Sequence, residues 1–220
     1  MARRAVFLDR DGVINSYVPH PEFGTVDSPA TAAEFSFLPC VGQALARLGQ
    51  LDVLLIVVSN QPGIAKRKFT VSQLDAMTRK MNALVRAAGG RIDSVYYCRH
   101  HPEATLPLYR KLCDCRKPKP GLLLSATRDW KIDASASYMV GDGVGDILAG
   151  QAVGSTTLFV SSRKCYICDE LSRHNARPDF LVRDLLEAAR VIECLENKNA
   201  TAAGEFTLAA RGESQFFVCL

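Results

Sequence analysis

The run Val53-Leu-Leu-Ile-Val-Val58 constrains the fold of this 220-residue chain more than any other stretch. It is apolar throughout, with no alternation, which describes a strand buried on both faces. Strands of that kind belong to parallel sheets covered by helices on either side. A shorter apolar run, Ala5-Val-Phe-Leu8, reads as another buried strand, and the segments Ser94–Tyr97, Tyr138–Val140 and Thr156–Val160 also read as strands. Helical spacing of apolar residues separates them. It predicts helices over Val41–Leu48, from a Thr70/Gln73 capping box to about Ala88, over Gly121–Arg128, over about Gly145–Val153, and from an Asp184 cap to about Glu196. Strand and helix alternate along the chain, so the expected fold is α/β, a Rossmann-like doubly wound parallel sheet. Leu74, Met77, Met81, Leu84 and Val85 share one helical face and read as core.

Composition narrows the function classes. With 48% hydrophobic and 23% charged residues the chain is ordinary globular material, and a net charge of +4 suits an anionic substrate. It falls short of the concentrated basic stripe that nucleic acid requires, so no nucleic-acid partner is expected. No apolar run approaches the roughly 20 residues of a membrane span. Met1-Ala-Arg-Arg-Ala-Val-Phe-Leu8 imitates the start of a signal peptide, but Asp9 interrupts the apolar run too early. A cytoplasmic, monomeric protein is expected, with its eight cysteines reduced and serving as ligands or core residues. One domain should span residues 1–196. The stretch Ser16–Ser36, polar and proline-bearing, reads as a long functional loop. Residues 197–220 lose periodicity and should form a loosely attached tail.

Polar residues stand just beyond three of the predicted strands. Asp9 and Asp11 follow the first, Ser59 and Asn60 the second, and Asp142 the fourth. In a doubly wound sheet these strand ends converge on one crevice. Three carboxylates there would bind Mg²⁺, a hard cation that bridges readily to phosphate. Ser59 and Asn60 could hold phosphate oxygens, and Arg116 and Lys117 supply positive charge. Each feature has a plainer reading: Asp-Gly and Ser-Asn are common in turns, and Arg-Lys before a proline is common on a solvated face. Their joint order is more specific than any one of them.

A second constellation is Cys98-Arg-His100-His101-Pro102 followed by Cys113-Asp-Cys115-Arg116-Lys117. Cys98, His100, Cys113 and Cys115 have the composition of a closed structural Zn²⁺ site that would staple the loop 98–115. Free thiols or one disulfide are the alternatives, and His101 could replace His100. Cys165-x-x-Cys168 has no matching partner pair and reads as loop cysteines. Cys40, Cys194 and Cys219 read as core or surface thiols, and Asn199-Ala-Thr201 as a chance glycosylation sequon.

Asp9-Arg-Asp11-Gly12, Ser59-Asn60-Gln61, Lys117 and Gly141-Asp142 resemble, in order, the four motifs of the haloacid dehalogenase (HAD) superfamily of phosphotransferases. The resemblance spans about residues 5–160. It implies that Asp9 is a nucleophile forming an aspartyl-phosphate and Asp11 the general acid and base. It further implies that Ser59 binds the transferred phosphate and Lys117 neutralises charge between it and Asp9. Asp142 would complete a Mg²⁺ site with Asp9 and the Asp11 carbonyl. Asp-Arg-Asp-Gly-x-Ile-Asn, Ser-Asn-Gln-x-Gly-Ile-Ala, Tyr-Tyr-Cys-x-His-His-Pro and Cys-Asp-Cys-Arg-Lys-Pro resemble one branch, the heptose 1,7-bisphosphate 7-phosphatases. The histidinol-phosphate phosphatase domain is its nearest neighbour. The branch implies a small phosphorylated sugar as substrate, recognition by Arg116, and no large cap domain. Two departures are Gly143, where the branch implies a lysine, and the lengthened Ser16–Ser36 segment, where it implies a short substrate loop. A non-catalytic zinc-stapled scaffold is disfavoured because both Asp9 and Asp11 are present.

Overall fold

The computed structural model describes residues 2–161 and 167–197. In chain order the elements are β1 (Ala5–Leu8), β2 (Val18–His20), β3 (Thr25–Asp27), α1 (Val41–Leu48), β4 (Leu54–Asn60), α2 (Val71–Ala87) and β5 (Ser94–Cys98). They continue with α3 (Gly121–Trp130), β6 (Tyr138–Gly141), α4 (Val144–Ala152), β7 (Thr156–Val160), α5 (Ile167–Arg173), β8 (Phe180–Val182) and α6 (Leu185–Glu196). Six strands form one parallel sheet in the order β5-β4-β1-β6-β7-β8. The chain leaves β1 toward β4 and β5, then returns to the other side of β1 for β6, β7 and β8. Connections therefore diverge at the carboxyl end of β1, where a doubly wound sheet opens its crevice.

Period-2 geometry divides the strands between two cores. Val6 and Leu8 of β1, with Leu55 and Val57 of β4, face α1, α2 and α6. Ala5 and Phe7, with Leu54, Ile56 and Val58, face the other layer, where Leu122, Leu123 and Ala126 of α3 and Ala149 of α4 pack. Burying each leucine or phenylalanine contributes roughly 1.5–3 kcal/mol, so both faces of β1 and β4 anchor the sheet. Met77 and Met81 are fully buried, as their helical spacing implies. Thr70 accepts from the Gln73 N–H while the Gln73 side chain accepts from Thr70, closing the predicted capping box. Asp184 likewise caps α6.

The Ser16–Ser36 segment is not irregular throughout. β2 and β3 pair as a short antiparallel hairpin, tied to the loop before α2 by an Asp27–Lys68 ion pair. Three-residue strands, one containing Pro19, carry too little periodicity to be read from sequence. The edge strand β8 and helix α5 escape for the same reason, being three and seven residues long. Among the described residues no cap domain is inserted between the strands, and no helix is long and apolar enough to cross a membrane. Cys165, the side chain of Cys168, the Asn199 sequon, Cys219 and the tail beyond residue 197 lie outside the described residues.

Candidate active site

The crevice at the end of β1 is a cavity of about 360 Å³ whose lining includes Asp9, Asp11, Tyr17, Ser59, Asn60, Lys117, Asp142 and Asp146. β1 stops at Leu8, and the Asp9 N–H still bonds the Val140 carbonyl of β6 at 3.0 Å. The chain then turns through Arg10–Asn15, closed by Ile14 N–H to Arg10 O (2.8 Å) and Gly12 N–H to Asn15 O (2.8 Å). Gly12 has φ of +86°, and a Cβ there would sit 2.2 Å from Asp142 Oδ2. Glycine is therefore required both by the backbone and by the approach of Asp142.

Lys117 is 6% exposed and its ammonium faces two carboxylates. Its Nζ donates to Val58 O at 2.7 Å and forms ion pairs with Asp9 Oδ1 at 3.0 Å and Asp146 Oδ1 at 2.5 Å. Burial works against the charge, but Asp146 and Asp9 outweigh it and raise the pKa above the usual lysine value. Asn60 fixes the lysine from β4: its amide donates to Lys117 O (3.0 Å) and accepts from Lys117 N–H (3.1 Å). A line of contacts thus runs from the end of β4, through the Lys117 backbone just after the 98–115 loop, to Asp9 at the end of β1.

Asp146 was not anticipated from the sequence. It lies in the first turn of α4, four residues after Asp142, and its Oδ2 accepts from the Gly143 N–H at 3.0 Å. That spacing, an acid repeated at i+4 beyond a strand end, is the signal that could have revealed it. Burial first, then Asp9 and Asp142, push its carboxyl up to about 7 even though Lys117 opposes the shift. Oxygens of Asp9, Asp142 and Asp146 lie within 4.8 Å of one another. Tyr17, also unanticipated, donates to Asp142 Oδ2 (3.2 Å) and approaches Asp11 O (3.3 Å).

Arg10 is fully buried between the two aspartates in sequence and grips Asp11, with Nε 3.0 Å from Oδ1. Nothing in its spacing marked it. The cluster holds four carboxylates (Asp9, Asp11, Asp142, Asp146) against two cations (Lys117, Arg10). The remaining negative charge and the hard oxygen donors fit a divalent cation such as Mg²⁺.

Cys98, His100, Cys113 and Cys115 come together at the end of β5. Cys115 Sγ lies 3.2 Å from Cys98 Sγ and 3.2 Å from Cys113 Sγ, and 3.4 Å from His100 Nδ1. Cys98 Sγ lies 3.6 Å from Cys113 Sγ and 3.9 Å from His100 Nδ1. Disulfide sulfurs would be about 2.05 Å apart. Ligands roughly 2.3 Å from a tetrahedral zinc stand about 3.8 Å apart, close to this spacing. Burial and then Lys111 hold His100 below the ordinary histidine pKa, favouring the neutral imidazole that binds metal. His101 stays outside the cluster, accepting from the Glu103 N–H (3.1 Å). Arg116 is not among the cavity-lining residues; its guanidinium donates to His100 O at 3.3 Å and braces the loop.

A HAD-hydrolase-like family profile matches residues 114–188. Two bacterial proteins named D-glycero-beta-D-manno-heptose-1,7-bisphosphate 7-phosphatase extend the likeness. That of Escherichia coli K12 is 42% identical over 153 residues, 70% of this chain and 76% of its own length. That of Vibrio cholerae is 42% identical over 168 residues, 74% and 84% of the two chains. The chain belongs to this family of HAD phosphatases. A solved member, the D,D-heptose 1,7-bisphosphate phosphatase of B. bronchiseptica complexed with magnesium and phosphate, superposes with a TM-score of 0.71 at 28% identity. The match covers 86% of this chain and 98% of that one. As a HAD phosphatase the protein is a phosphoric monoester hydrolase; its parallel sheet agrees with the sequence reading, and among the described residues no large cap is inserted.

Proposed function

We propose that this protein removes the 7-phosphate of D-glycero-D-manno-heptose 1,7-bisphosphate with Mg²⁺ bound by Asp9, Asp142 and the Asp11 carbonyl. The observation that carries the chemistry is the meeting of Asp9, Asp11, Lys117 and Asp142 around one cavity. The names of the relatives support the choice of ester.

In the first step an Asp9 oxygen attacks phosphorus in line while the bond to the C7 oxygen breaks. Asp11 gives its proton to that departing oxygen, so the sugar leaves as a neutral alcohol. In the second, Asp11 takes a proton from water, which attacks the aspartyl-phosphate and frees Asp9 and inorganic phosphate. Lys117, held between Asp9 and Asp146, offsets charge gathering on the equatorial oxygens. When bound, the divalent cation supplies the rest of that neutralisation. Ser59 would donate to the transferred phosphate. Asn60 borders the same cavity and keeps Lys117 in register.

In the same reading Cys98, His100, Cys113 and Cys115 hold a structural Zn²⁺ with no open position, and Arg116 meets the remote part of the substrate once the loop engages it. The protein acts as a cytoplasmic monomer. The test is phosphate release with Mg²⁺ from both anomers of heptose 1,7-bisphosphate, fructose 1,6-bisphosphate and histidinol phosphate. Preference for one heptose anomer is expected. Turnover of histidinol phosphate alone would overturn the substrate and leave the mechanism.

A further inference from the structure

We propose that Gln61 is a positioning residue that holds Asp11 for proton transfer to the leaving group and orients the Ser59 hydroxyl. The proposal rests on the acid–base role of Asp11 given above.

Gln61 follows β4 and is almost fully buried. Its backbone N–H donates to Cys98 O at 2.7 Å, which ties it to the end of β5 beside the cysteine cluster. The side chain then makes three bonds. Oε1 accepts from Arg10 Nη2 at 2.8 Å, and Nε2 donates to Asp11 Oδ2 at 2.7 Å and to Ser59 Oγ at 3.2 Å. Arg10 closes the ring, with Nε at 3.0 Å from Asp11 Oδ1 and Nη2 at 3.2 Å from Oδ2. Only one orientation of the amide satisfies this ring. A guanidinium offers donors alone and a carboxylate acceptors alone, so Oε1 must face Arg10 and Nε2 must face Asp11.

Two consequences follow for the cavity. Asp11 is gripped from behind by Arg10 and Gln61, neither of which lines the cavity, while Asp11 itself does. Its carboxyl is thereby aimed without any group occupying the substrate side. Ser59 accepts from Gln61, which uses an oxygen lone pair and leaves its hydroxyl hydrogen available for an anion in the cavity. One buried amide thus sets the acid–base residue and the phosphate donor together. Such closed polar networks are costly to break in part, because each removed member leaves others unpaired.

The discriminating experiment varies the leaving group. An alkyl phosphate such as a sugar phosphate needs a proton on its departing oxygen, whereas an aryl phosphate such as p-nitrophenyl phosphate departs without one. Because kcat/KM reports only steps through leaving-group departure, the two esters separate the Asp11 arm from the Ser59 arm. Gln61→Met and Gln61→Glu should lower kcat/KM for the sugar phosphate by about 30-fold or more and for the aryl ester by no more than about 5-fold. The common loss reports Ser59, and the excess reports Asp11. Gln61→Glu retains the acceptor for Arg10, so it keeps the test informative if Gln61→Met is poorly folded. Equal losses on both esters in a folded variant would overturn the proposal. Wild-type protein silent on both esters would instead overturn the assignment of the site.

Discussion

Replacing Lys117 by methionine removes the cation that faces both Asp9 and Asp146. The side chain is 3% exposed, and Nζ stands 3.0 Å from Asp9 Oδ1 and 2.5 Å from Asp146 Oδ1. Methionine keeps most of the volume, so the loss is electrostatic rather than a cavity. Removing one partner of a buried ion pair costs about 3–5 kcal/mol, since the remaining charge is left uncompensated. For a chain of this size each kcal/mol moves the melting temperature by about 2–4 °C, which gives a fall of roughly 6–20 °C. The pH dependence has a definite sign. Lys117 lowers the Asp146 pKa, so its loss raises that pKa further, and protonation then relieves the variant. The deficit should be largest near pH 8 and shrink by pH 5. The assay is thermal unfolding of Lys117→Met and wild type in a chelator at both pH values. Melting within about 2 °C of wild type at pH 8 would refute the argument.

Three further outcomes are expected. Burial holds the Asp146 carboxyl up to about 7, above its ordinary value of 3.8, so in metal-free protein its contribution is full below about pH 4 and lost as pH rises through about 7. Denaturant unfolding should show that slope, and Mg²⁺ should flatten it; a slope of the opposite sign would contradict the assignment. Gly12→Ala meets φ of +86° and places a Cβ 2.2 Å from Asp142 Oδ2. It should lose Mg²⁺ affinity by calorimetry as well as about 1–2 kcal/mol of stability from the backbone alone. Cys113→Ser should lower zinc content, measured by elemental analysis against about one zinc per wild-type chain, and reduce melting temperature; unchanged zinc would remove Cys113 from the ligand set.

The sequence made the central strands legible because burial on both faces removes any alternation, as at Val53–Val58, and it made the helices legible through the apolar stripe of α1 and the capping signals of α2 and α6. It also placed Asp9, Asp11, Ser59, Asn60, Lys117 and Asp142 near one another, since all follow strands or a loop that a doubly wound sheet gathers at one end. What escaped depends on three-dimensional pairing. Arg10 and Gln61 look like spacers within their motifs, and only the fold turns the guanidinium behind Asp11 and the amide between Asp11 and Ser59. Tyr17 precedes a hairpin too short to announce itself, yet its hydroxyl reaches Asp142 from there. Arg116 stands out by its charge and by the family resemblance, and in the structure its guanidinium donates to the His100 carbonyl and is not among the residues lining the cavity.

The most direct test of the account is phosphorus NMR of heptose 1,7-bisphosphate incubated with Mg²⁺ and either wild-type protein or Asp9→Asn. The account predicts that wild type converts the C7 phosphate resonance to inorganic phosphate and leaves the C1 phosphate intact, while Asp9→Asn leaves both unchanged. Loss of the C1 phosphate, or undiminished turnover by Asp9→Asn, would contradict it.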